Sequence, residues 1–228
     1  MKTMKTRLNM RALEQVDAVA AKILGEKRLA DVVGLAALAN SVDIWLPGRE
    51  EKGLVLEGYV RINDRERVER ILGRAGLVAY LLDNAGEAVV DILVALRLAQ
   101  EGKEVVLVAR SQPYELDVTV DDVNKLLVEI GRRLRMSTRN IRVIGTGSAY
   151  PAPATGYVAN RVAYLLVDAD AVVSKGIANY EALGEFCSIV PDKTIVALRA
   201  KCPPIARLLG ANLDDAVVAA GYRCMRGA

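Results

Sequence analysis

Two carboxylates and an amide fall within five residues in Asp83-Asn84-Ala85-Gly86-Glu87, and a further carboxylate, Asp117, follows in the stretch RSQPYELDVT at 110–119. Oxygen side chains of this kind suit a hard cation such as Mg²⁺ or Mn²⁺, and Asp83, Asn84 and Asp117 would leave open positions for water and phosphate. Gly86 would let the backbone approach a ligand, and Glu87 would stand in the first turn of a helix beside its free amides. Two aspartates delivered to one crevice repel each other unless a cation lies between them. The competing reading is a helix cap, with Asp83 or Asn84 closing the amide end and Glu87 favoured there by the helix dipole. Asp121 and Asp122 are better explained as caps.

A second constellation is Ser174-Lys175-Gly176-Ile177-Ala178-Asn179-Tyr180-Glu181. A lysine and a glycine just before a helix make an anion cradle, in which amides, dipole and ammonium all favour phosphate. Asn179 and Glu181 could then contact attached hydroxyls. Lys201, beside Cys202-Pro203-Pro204, adds a second cation. The plain alternative is a solvated lysine at a strand end. Gly145-Thr146-Gly147 is no dinucleotide fingerprint, because Tyr150 stands where the last glycine is needed, and no phosphate-loop pattern occurs.

The elements that must carry these residues follow from periodicity. Residues 11–24 and 29–38 space their apolar side chains as helices, 64–72 reads as a short charged helix, and a turn at 43–48 carries the only tryptophan. From 77 onward continuous apolar runs predict strands buried on both faces at 77–82, 104–109, 141–144, 171–174, 194–198 and 216–220. Helices are expected between them at 88–100, 121–135, 158–167, 180–186 and 204–209. Such alternation means a doubly wound, mostly parallel, Rossmann-like α/β sheet, with a helical region at 1–75 and the core at 76–228. Ligands of these sheets lie beyond the carboxyl ends of the strands, where both constellations fall.

Composition narrows the chemistry. With 228 residues and no histidine, imidazole relays and HExxH zinc sites are excluded. Three scattered cysteines, Cys187, Cys202 and Cys224, suggest reduced thiols. The net charge is only +3, and Arg132, Arg133, Arg135, Arg139 and Arg142 read as a basic helix end and loop, so no nucleic-acid partner is expected. There is no signal-peptide core and no apolar run of about 20 residues, which predicts a soluble, cytoplasmic protein without a membrane partner. Only three glutamines among abundant Ala, Val and Arg fit a thermophile, and the Ala and Val richness would suit a homo-oligomer.

In order, LLDNAGEAVVD at 81–91, PYELDVT at 113–119, DAVVSKGIANYEAL at 170–183 and LRAKC at 198–202 resemble the damage-control phosphatase family, long catalogued as domain of unknown function 89. LAALANSVDIW at 35–45 resembles that family's helical segment ending in an Asn-x-x-Asp turn, with Ala39 where glycine is usual. The KGxxNYE form is similar to the stand-alone prokaryotic branch. The eukaryotic Arg-Thr-x-Lys form is broken by Leu198 and Ala200. The resemblance implies a metal-dependent phosphomonoester hydrolase acting on sugar phosphates or on damaged or surplus phosphometabolites. By it, Asp83, Asn84 and Asp117 are the catalytic ligands of a divalent ion (Mg, Mn, Co or Ni). Asn40, Glu87, Ile177, Ala178, Asn179, Tyr180, Glu181 and Lys201 line the substrate, with Lys175 and Gly176 near its phosphate. A carboxylate must attack phosphorus or orient a water, and among Asp83, Asp117 and Glu87 the sequence does not choose. Two rival functions are an S-adenosylmethionine-dependent carboxyl methyltransferase and a non-catalytic phosphometabolite-binding protein.

Overall fold

A computed structural model describes residues 2–40, 54, 56–151, 159–186 and 190–221. Its centre is a seven-stranded sheet. The strands are β1 (Val60–Asn63), β2 (Leu77–Leu81), β3 (Glu104–Ala109), β4 (Ile141–Gly145), β5 (Ala171–Lys175), β6 (Thr194–Arg199) and β7 (Ala216–Ala220). Their order across the sheet is β1-β7-β6-β5-β2-β3-β4. β6, β5, β2, β3 and β4 run parallel, β7 runs antiparallel to β6, and β1 is parallel to β7. The chain winds outward from β2 through β3 to β4, then returns to the other side of β2 with β5 and β6. The switch point of the winding therefore lies between β2 and β5, where a doubly wound sheet opens its crevice.

Alternating side chains give each strand two apolar faces. Val78, Tyr80, Val105, Leu107, Ala171 and Val173 pack into one core. Its helices are α1 (Lys2–Glu14), α2 (Val16–Gly25), α3 (Leu29–Ala39), α4 (Arg65–Arg74), α5 (Glu87–Gln100) and α6 (Val120–Leu134). Ala79, Leu81, Val172, Val196 and Leu198 face the other core, closed by α7 (Asn160–Asp168), α8 (Gly176–Ala182) and α9 (Pro203–Leu209). The result is a three-layer sandwich, as the apolar runs require. α5 is the central helix of its layer: α1, α2, α3 and α6 all pack on it. Among the described residues no helix is long and apolar enough to cross a membrane.

The expected strands are all present, within a residue or two at their ends. β1 was not expected. Its VRIN sequence is only half-buried and has no long apolar run to betray it, yet it pairs in register with β7. The sheet thus draws on residues from both sides of the 75/76 division. α8 starts at Gly176 rather than at 180, and 183–186 forms a 3-10 turn. The tryptophan turn at 43–48 lies outside the described residues, as do Cys187 and Cys224.

Candidate cation and phosphate site

The loops after β2 and β3 are zipped together by their backbones. Leu82 N–H donates to the Val108 carbonyl, Val118 N–H to that of Asp83 (2.9 Å), and Ala85 N–H to that of Leu116 (2.8 Å). Asn84 and Asp117 face each other as an isolated antiparallel bridge. Asp117, distant in sequence, is therefore brought to Asp83 and Asn84 at the carboxyl edge. The cap reading of Asp83 and Asn84 fails, because Gly86 caps α5 at φ 83° without a side-chain bond. For α6 the cap reading holds through Asp122: Thr119 and Asp122 form a reciprocal capping box.

Each aspartate gives one oxygen to protein donors. Asn40 Nδ2 and Asn84 Nδ2 both donate to Asp83 Oδ2, at 3.0 and 3.1 Å. Arg110, itself buried, reaches Asp117 Oδ2 through Nε at 2.6 Å and through its terminal nitrogen. The two amides also donate to Glu87, from Asn40 at 2.6 Å and from Asn84 at 3.4 Å. Asn40 is held in turn by Arg199 N–H, which donates to its Oδ1 at 3.0 Å. Burial, and then the charge of Asp83, push Asp117 up to about 6 against the pull of Arg110. Burial likewise pushes Glu87 up to about 8, opposed by Lys175 and reinforced by Asp83. A crowd of carboxylates with this much mutual repulsion is a place where positive charge would be stabilising. No group of three or more His, Cys, Asp or Glu gathers as a metal cage among the described residues. The available donor set is instead two carboxylates completed by the Asn84 amide, a mixture that suits a hard ion.

Across the switch point, Gly176 lies against this cluster. It has φ 74°, and a Cβ there would fall 2.0 Å from Asp83 Oδ2, so only glycine lets β5 end so close to the carboxylate. Lys175 does not face the open crevice. It has no exposed surface, and its Nζ donates to the Ala36 carbonyl at 2.7 Å while lying 3.5 Å from Asp91 and 3.8 Å from Glu87. Asn179 is also fully buried, and its amide donates to the Leu82 and Lys175 carbonyls, tying the β5 turn to the β2 turn. Tyr180 packs in the second core, Ile177 and Ala178 are half-buried, and Glu181 is exposed. Lys201 is half-buried beyond β6, close enough for its charge to act on Glu87.

Three participants carried no role in the sequence reading. Arg110 fixes Asp117. Asp91 accepts the Tyr80 hydroxyl at 2.8 Å and lies beside Lys175, all three fully buried. The available signal was a lone acid in the apolar run AVVDILVAL, one turn after Glu87 and on the same face of α5.

A family model described as "Damage-control phosphatase ARMT1-like domain" matches residues 2–217. The chain is 29% identical over 200 residues to a damage-control phosphatase of Archaeoglobus fulgidus, covering 88% of this chain and 63% of that protein. It is 27% identical over 184 residues to one of Pyrococcus horikoshii, covering 78% of this chain and 60% of that protein. The chain thus spans about three-fifths of the length of these curated relatives. In three dimensions it is similar to a DUF89 family protein from Pyrococcus horikoshii, with a TM-score of 0.78 at 22% identity over 97% of this chain and 74% of that one. That likeness establishes the fold, and the family match extends across both constellations and into the last strand of the sheet: the chain belongs to the damage-control phosphatase ARMT1-like family.

Proposed function

We propose that this protein is a divalent-metal-dependent phosphatase that hydrolyses small phosphomonoesters, of the class of sugar phosphates or damaged and surplus phosphometabolites. The observation that carries the reading is the pairing of the Asp83 and Asp117 loops at adjacent strand ends, where Val118 N–H donates to the Asp83 carbonyl at 2.9 Å and Asn84 bridges Asp117. The names of the relatives, damage-control phosphatases, support the same reading.

Asp83, Asn84 and Asp117 would hold the ion. When bound, it supplies Lewis acidity to the phosphoryl oxygens. The protein's own side chains do the rest. Asn40 and Asn84 fix the Asp83 carboxylate, and Arg110 fixes that of Asp117. Gly176, having no side chain, lets the β5 turn stand directly against the Asp83 carboxylate. Lys201 offers a cation to the charge that develops as the oxygen of water bonds to phosphorus, the ester P–O bond breaks and a proton from that water passes to the departing alcohol. Lys175, enclosed between Glu87 and Asp91, acts by holding Glu87 rather than by touching phosphate.

The test is phosphate release from a panel of sugar phosphates and p-nitrophenyl phosphate, with and without Mg²⁺, Mn²⁺, Co²⁺ or Ni²⁺, on wild type and Asp83→Ala. Metal-dependent release that disappears in the variant is expected. No release with any metal would transfer weight to the binding-protein and methyltransferase alternatives.

A further inference from the structure

We propose that α1 is the clasp of this site, and that Lys5 and Asn9 are positioning residues that fix the two ligand-bearing loops relative to each other; the inference rests on the metal reading above. The two side chains stand four residues apart, on one face of the helix, and both are buried. Lys5 Nζ donates to the main-chain carbonyl of Asp117 itself at 2.8 Å and lies 3.3 Å from Asp122 in the α6 capping box. Asn9 Oδ1 accepts the N–H of Gly86 at 2.7 Å, two residues past Asn84. Leu8, between them in the helix, neighbours Gly86, where a Cβ would be in ordinary contact with it at 3.5 Å.

One helix face thus grips the β3 loop at its ligand and the β2 loop just beyond its ligands. A buried ammonium is stable only where its donors are matched, so Lys5 has a defined seat, and that seat includes the backbone of Asp117. The spacing of two carboxylates around a cation must hold to within about 0.5 Å. Residues that orient metal ligands in this way are worth about 10- to 100-fold in metal affinity.

The test is Mn²⁺ affinity of the full chain, by titration calorimetry, with thermal unfolding recorded in parallel. Lys5→Met and Asn9→Ala are each expected to bind Mn²⁺ about 10- to 100-fold more weakly. Lys5→Arg and Asn9→Asp, which keep the donor and the acceptor, should recover most of the loss. Arg7→Ala, on the exposed face of the same helix, should change nothing. The sign discriminates. Were Lys5 merely a nearby positive charge, its removal would tighten cation binding. Unchanged or tighter binding in Lys5→Met therefore overturns the clasp, and if that variant fails to fold, Asn9→Ala, which deletes a single acceptor, decides. Mn²⁺ that binds wild type and is indifferent to these variants refutes the clasp alone. Absence of Mn²⁺ binding to wild type refutes the metal reading and the clasp with it.

Discussion

The turns that end β2 and β5 are neighbours in the sheet, and both place charged residues at the carboxyl edge, but they use charge in opposite ways. At the β2 turn, Asp83 keeps slight exposure, and protein donors converge on one of its two oxygens. At the β5 turn, Lys175 is sealed from solvent among the Ala36 carbonyl, Glu87 and Asp91. Strand parity explains the second case. Lys175 shares a face with Ala171 and Val173, which pack in the core under α3 and α5, so its side chain must enter that layer. A strand end therefore locates a charged residue, while the parity of the strand decides whether the charge meets a ligand or meets the core.

That contrast predicts two kinds of failure. The largest effect is expected at the β2 turn. In Asp83→Asn, which keeps the shape and removes the charge, metal-dependent phosphate release should fall to background. The unfolding midpoint should hold or rise, because Asp117 loses a like charge beside it. A midpoint that collapses would mean that Asp83 serves the fold, and the distinction between the two turns would be lost. At the buried pole, Lys175→Met strands Glu87 and Asp91 without their cation. Removing one member of a buried charge cluster costs about 3–5 kcal/mol, measurable by urea unfolding. A loss below about 1 kcal/mol, the range of exposed ion pairs, would show Lys175 to be effectively solvated.

Gly176 joins the two poles and tests their distance. Gly176→Ala places a methyl group on the Asp83 carboxylate and forces a side chain into a left-handed backbone. A loss of about 1–3 kcal/mol is expected from backbone strain, together with weaker Mn²⁺ binding. Full stability with full Mn²⁺ affinity would mean that Gly176 and the Asp83 carboxylate are not in close contact.

Much of this arrangement was legible in the sequence. Continuous apolar runs marked six of the strands, because a strand buried on both faces has no room for alternation. That Asp83, Asn84 and Asp117 fall beyond the carboxyl ends of β2 and β3 was readable from the strands, but the strands left the cap reading of Asp83 and Asn84 open. β1 escaped because an edge strand of four half-buried residues has no run to show. The burial of Lys175 was in principle readable from parity, but only once the helices covering that face were known. Lys5 and Asn9 could not be found this way. The loop groups they hold lie 112 and 77 residues away, and both are backbone groups, which leave no mark on side-chain types.

The smallest effect tests whether the buried pole behaves as a low-dielectric site. Asp91 is pushed above its ordinary range by burial, against the pull of Lys175 and the Tyr80 hydroxyl, and its Oδ2 has no hydrogen-bond partner among the described residues. A carboxyl raised on folding holds its proton more tightly in the native state than in the unfolded chain. Its contribution to stability is therefore complete below the unfolded value of about 3.9 and is lost as pH climbs through the higher folded value. Asp91→Asn cannot titrate. Wild type should accordingly be at its best relative to Asp91→Asn in acid, with the difference shifting against wild type as pH rises, as read from urea unfolding of both proteins across the range. A difference that stays flat with pH would give Asp91 the same affinity for its proton folded and unfolded. A difference that grows in favour of wild type would mean that Lys175 and Tyr80 outweigh burial, making this an ion pair that stabilises the fold rather than a charge cluster the core tolerates in order to hold Glu87 in place.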